Sequence, residues 1–155
     1  MAGPGREPAI HDRSGEAGGQ LDSGVRRFRL RAGLTQELGR YEDADAHCRA
    51  ALALYREHRD LLGEAAALTS LGTVAQRTGQ DDQAIEHYRQ ALDRYRELGH
   101  SYFSADTFDR LGQLYAARGD AEQARTAWQE ALERYSAQGR EEEADRVQRQ
   151  LGSNG

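Results

Sequence analysis

From Val25 to Leu151 the apolar residues recur at spacings of three and four and never alternate for long, a pattern that predicts helices throughout and no strand. The clearest stretch is in the middle of the chain. Leu68, Leu71, Gly72 and Ala75 share one helix face, which predicts a helix over about 64–78. Gly79 follows, a residue that takes the left-handed conformation cheaply and so ends a helix. Asp81 is placed to cap a second helix, on which Ala84, Tyr88, Ala91, Leu92 and Tyr95 form the next apolar stripe before Gly99 stops it. Near the C-terminus, Ala144, Val147 and Leu151 mark one narrow apolar side of a last helix over 140–151, polar enough elsewhere to close a stack.

The pattern repeats. Displaced by 40 residues, Leu71–Gly99 falls on Leu111–Gly139 with ten identities and no gap. Displaced toward the N-terminus, Gly39, Ala44, His47, Arg49, Ala51, Leu52 and Tyr55 fall on Gly79, Ala84, His87, Arg89, Ala91, Leu92 and Tyr95. Leu151–Gly152 lies in the same register. This settles a local ambiguity at Arg27–Ala44, where "LRAGLTQE" has the look of a helix-turn-helix repressor. A long Ala-rich helix follows in place of a short recognition helix, and "LTQELGRYEDA" matches the later units as helix end, Gly turn and helix start. Seven helices are therefore expected over 25–151, as three hairpins and a terminal helix. Small residues such as Gly72 and Ala84 mark where paired helices cross closely, with Tyr88 and Leu71 filling the wider ends. One such hairpin cannot bury its own stripe and must stack on its neighbours.

With these residues in place, the chain resembles the tetratricopeptide repeat family. Leu68, Leu71, Gly72, Ala75, Ala84, Tyr88 and Ala91 fit its pattern, as do Phe108, Leu111, Gly112, Tyr115, Ala124, Trp128 and Ala131. The first unit is looser: Phe28, Ala32, Ala44, Cys48 and Ala51 fit, while Arg31 stands in place of the Leu. The repeat is longer than the typical unit and lacks its closing Pro. That is similar to the long-helix variety in bacterial regulators and scaffold proteins. The resemblance implies an all-α, right-handed superhelical α-solenoid of three hairpins plus a C-terminal capping helix. The units fall at about 25–62, 63–102 and 103–139, with the cap at 140–152 and one repeat domain over 25–152.

Residues 1–24 differ in kind. They are Gly-rich, hold both prolines and few large apolar residues, and read as a disordered leader without a signal-peptide core. No apolar run is long enough to span a membrane, so a cytoplasmic location is expected. The net charge of −5 argues against nucleic acid as a direct partner. One cysteine, Cys48, excludes an internal disulfide or thiolate cluster, and its place in the register of Tyr88 and Trp128 reads as a small buried hydrophobe. His47 and His87 recur in register but lack a third ligand, and read as boundary residues. Asp81–Asp82 and Glu141–Glu143 open helices, where carboxylates suit the dipole. No phosphate loop and no nucleophile–base grouping is present, so no enzyme, no cofactor, no metal and no catalytic residue are expected.

What remains is binding. The first helix of each unit would pack through one stripe and line a concave groove with another, rotated by ~100°. By the resemblance the groove residues are Arg26, Arg29 and Gln36, then Thr69, Thr73 and Gln76, then Asp106, Asp109 and Gln113. The order runs basic, neutral, acidic. The chain has no Lys, and its one Asn is Asn154, which argues against the peptide-tail clamp of chaperone-binding members. The expected function is a non-catalytic module that holds a protein partner's peptide or helix in this groove. The alternatives are the sensor array of a bacterial transcriptional regulator or signalling ATPase, and a self-associating solenoid piece that forms homo-oligomers.

Overall fold

The computed structural model describes the backbone of residues 23–153 and the side chains of 37–153. The expected leader lies outside the described residues, except for its last two, with which the first helix begins. Every regular element among the described residues is a helix: α1 Ser23–Glu57, α2 Leu61–Arg77, α3 Asp81–Leu98, α4 Tyr102–Ala117, α5 Ala121–Ala137 and α6 Glu141–Ser153. The packing divides at Glu42/Asp43. In the second unit α2 pairs with α3 and α4 with α5, while α3 touches α4 and α5 touches α6. This is an all-α solenoid of helical hairpins.

The turns share one geometry, because the same sequence event recurs. Gly79, Gly99, Gly119 and Gly139 have φ of 79°, 67°, 81° and 72°. In each, the residue after the Gly donates its backbone N–H to a carbonyl five residues back, as Gln80 does to Ala75 and Arg140 to Tyr135. The turn before α2 is built alike, Asp60 donating to Tyr55, but the left-handed residue there is Arg59, at φ 56°. A side chain in that conformation costs about 1–2 kcal/mol, partly offset because Gly loses more freedom on folding. Arg59→Gly is therefore expected to stabilise by about 0.5–1 kcal/mol. The check is a higher urea midpoint at unchanged slope.

Caps follow the sequence less closely. Asp60 and Asp120 cap α2 and α5, accepting from the N–H of Gly63 at 2.9 Å and of Gln123 at 3.3 Å. Asp81 does not cap α3. The N-cap is Gln80, without a side-chain bond, and Asp81 is the first helical residue, beside the N-terminal partial charge with Asp82.

The first unit departs furthest from expectation. Six helices form where seven were expected, because α1 runs 35 residues without a break and Gly39 lies inside it. Its φ is not positive, and Tyr41 donates to Glu37 Oε2 at 3.2 Å across the would-be turn, an i,i+4 bond of helical chain. Good helix formers surround the glycine, so the ~1 kcal/mol penalty of a mid-helix Gly is outweighed locally.

Inside the hairpins the crossing glycines meet rings. A Cβ at Gly72 would lie 2.5 Å from Tyr88 Cε1, and one at Gly112 2.5 Å from Trp128 Cδ1. Each missing Cβ is thus the seat of an aromatic ring, a closer role than filling a wider end. Ala84, Ala91, Ala124 and Ala131 are fully buried beside them. Val147 and Ala144 carry α6 onto the larger cluster, and Leu151 packs against it at the edge.

Candidate partner-binding face

Thr69, Thr73 and Gln76 lie on α2, each partly buried. Both threonines donate back to their own helix, Thr69 to Ala65 O at 2.9 Å and Thr73 to Thr69 O at 3.1 Å. Two buried tyrosines of α3 rise to meet them. Tyr88 donates to Gln76 Oε1 at 3.0 Å and its oxygen lies 3.1 Å from Thr73 Oγ1, while the Tyr95 hydroxyl is 3.5 Å from Thr69 Oγ1. The rings are locked in the core, so the polar rim they support is rigid.

On α4 the same register carries charge. Asp109 takes the place of Thr69, and Tyr135 that of Tyr95. The Tyr135 hydroxyl is 3.0 Å from both Asp109 Oδ2 and Asp106 Oδ1, which share its single proton. Arg140 reaches Asp106 with two nitrogens, at 2.9 and 3.2 Å. Arg146 on α6 reaches Asp109 at 2.6 and 3.4 Å. Gln113 donates to Asp109 Oδ1 at 3.3 Å. Arg140 also binds Glu143 at 3.2 Å and stands 4.7 Å from the ring centres of Tyr102 and Tyr135. Burial, then the charges of Asp109 and Asp106, push the Tyr135 hydroxyl far above its ordinary pKa, so it stays a proton donor. The hydrogen bond to Asp106 raises the pKa of Arg140, and the bond to Asp109 that of Arg146.

The structure therefore brings Asp106, Asp109 and Gln113 together and adds three residues that the sequence reading missed: Tyr135, Arg140 and Arg146. One signal could have found them. Asp109 belongs to a helix with buried neighbours, and a carboxylate only 3% exposed needs a cationic or donor partner. The side chains of Arg26, Arg29 and Gln36 lie outside the described residues; their backbone belongs to α1. On the other side of the stack, α3, α4 and α5 leave a shallow cleft of about 320 Å³, with Phe108, Leu111 and Tyr115 at its floor and Arg89, Arg96 and Glu130 at its rim.

Paired helices, glycine-seated rings and a recurring turn are the anatomy of one repeat family, and sequence comparison agrees. Tetratricopeptide repeat models match residues 28–97 and 106–137. The chain belongs to the tetratricopeptide repeat family. No curated protein sequence matches it significantly. Tetratricopeptide repeats are in general protein-interaction modules, typically without catalysis. Of the other residues that the sequence singles out in this repeat chain, Cys48 and His87 are partly packed and His47 is not. Cys48 is partly buried against the cluster of Leu52, Leu68 and Tyr95. His47 is exposed, whereas His87 is partly buried, its pKa lowered by burial and then by Arg49. Among the described residues no group of three His, Cys, Asp or Glu could hold a metal, and no helix is long and apolar enough to cross a membrane.

Proposed function

We propose that this protein holds a segment of a partner protein against the α2/α4 face, with Thr69, Thr73, Gln76 and Gln113 as polar contacts. The observation that carries the reading is the rim of hydroxyls and an amide on α2, Thr69, Thr73 and Gln76, held by Tyr88 and Tyr95. Groups already held in place lose little freedom on binding, so their bonds to a peptide count nearly in full. Asp106 and Asp109 extend this face, but Arg140 and Arg146 already match them, so a ligand cation would share these carboxylates and gain little. The neutral stretch carries the affinity in this reading. The recurrence of the turn from Gly79 to Gly119, and from Gly99 to Gly139, favours the long-repeat variety.

The test is selection of binders from a displayed random peptide library on the full chain. Thr73→Arg and Gln113→Arg are each expected to weaken a selected peptide by ~10-fold, about 1.4 kcal/mol. Gln129→Glu, an exposed change on α5, is expected to leave it unchanged. The opposite pattern would move the binding site to the other side of the helices.

A further inference from the structure

The cleft between α3, α4 and α5 takes no part in the α2/α4 face, and the repeat register shows what sets it apart. In the register of Arg89 the preceding unit has Arg49, which donates to Asp45 at 2.8 Å, one turn back on its own helix. One turn before Arg89 stands Ile85, which offers no charge, and Arg89 has no hydrogen bond or ion pair among the described residues. On the opposite wall Ala127 takes the place that His87, a much larger side chain, holds in the preceding unit. The cleft of about 320 Å³ lies above Phe108 and Leu111. That is room for roughly ten waters. Tyr115 also lines it and is only 8% exposed, yet its hydroxyl has no partner among the described residues. A polar group so far buried calls for a hydrogen-bond partner, and the open side of the cleft is where one can enter.

We propose that this cleft anchors an acidic segment of a partner protein: one large apolar side chain seats on Phe108 and Leu111, and the carboxylate that follows it meets Arg89. Charge selects the segment. Asp93 is paired with Arg96 and Glu130 with Arg134, so both rim carboxylates are matched and Arg89 is the cation left over at the rim. An incoming carboxylate gains an arginine that gives up no other partner, whereas an incoming cation finds only carboxylates already paired. Depth selects the source. A small ligand is held by burying most of its surface, which a shallow cleft does not do. A single anchor side chain needs no more than the pocket, because the rest of the segment rests on the rim and excludes water. The Tyr115 hydroxyl donates to a carbonyl of the bound segment. The site shares no residue with Thr69, Thr73, Gln76 and Gln113, and it does not depend on the reading of that face.

Methyl NMR of the full chain, read at Leu111 and Ala127, tests it with a short Gly-Ser peptide carrying Phe-Asp-Glu at its centre. The peptide is expected to shift both signals, saturating with a Kd of roughly 100 µM that weakens as salt is added. Replacing its Phe by Ala, or its two acids by Arg, should each weaken binding at least ~10-fold. On the protein, Arg89→Glu is an exposed change that leaves the core alone. It should weaken the peptide ~10-fold and make the Phe-Arg-Arg peptide the better ligand. Tyr115→Phe keeps the ring and should weaken the peptide ~3-fold. Thr73→Arg should leave it unchanged, which separates this site from the α2/α4 face. Unmoved signals at millimolar peptide, or full affinity in Arg89→Glu, would overturn the proposal. So would signals moved by phenylpropionate but not by the peptide, which would make the cleft a small-molecule pocket. Signals that broaden with protein concentration alone would seat a second copy there, and would overturn it too.

Discussion

Trp128→Ala is expected to lower the unfolding free energy by about 3–5 kcal/mol, the range for deleting a large buried aromatic ring. Trp128 is 1% exposed and is the largest of the fully buried side chains. Its ring sits where Gly112 lacks a Cβ, so truncation empties a space that the backbone of α4 cannot close without moving. Trp128→Tyr should retain most of the stability. Tyr88 occupies the same register against Gly72, and the indole Nε1 has no partner within the protein to lose. Ala124→Leu, which adds bulk to a fully buried position, should cost about 1–3 kcal/mol, as should Ala84→Leu. Urea unfolding followed by circular dichroism gives each value. A Trp128→Ala loss below that of Ala124→Leu would mean that the ring is not what holds α4 to α5.

The hairpins were legible because their determinants are local. A stripe at helical spacing, a glycine at each turn and a forty-residue recurrence fix α2 to α5 without knowledge of the rest of the chain. Gly39 shows where that logic stops. It has the same residue at the same beat as Gly79, yet nothing in its neighbourhood forces a turn, and Tyr41 to Glu37 continues the helix. A glycine permits the left-handed conformation; tertiary contacts decide whether it is used. Arg59 shows the converse, since the turn forms there without glycine. On the candidate face, Thr69, Thr73 and Gln76 could be placed on α2 by spacing alone. That Arg140 and Arg146 would neutralise Asp106 and Asp109 could not, because those pairs join residues 34 and 37 apart through the docking of α6.

Removing the buried carboxylate of that cluster is the second large change. Asp109→Ala is expected to cost about 2–3 kcal/mol, below the 3–5 kcal/mol seen when a wholly buried pair is broken. The discount has a structural reason: the Arg146 side chain is 40% exposed, so its guanidinium can turn to water once Asp109 is gone. The Tyr135 hydroxyl keeps Asp106 as an acceptor, which limits the loss further. Asp106→Ala should cost less, under ~1 kcal/mol, since its side chain is itself 40% exposed and Arg140 retains Glu143. Asp109→Thr restores the residue found at this register in the preceding unit and gives Tyr135 a hydroxyl partner again, as Thr69 gives Tyr95. It should recover part of the loss but not the contact with α6. Hydrogen exchange then separates the two functions of Asp109. In both variants the amides of α6 should exchange faster than in the wild type, while those of α2 and α3 stay protected, because Arg146 links Asp109 to the terminal helix and to nothing in the first hairpin. Unchanged α6 protection in Asp109→Ala would show that the apolar contacts of Val147 and Ala144, with the Arg140–Asp106 pair, hold the cap, and that the Arg146–Asp109 pair is incidental to it.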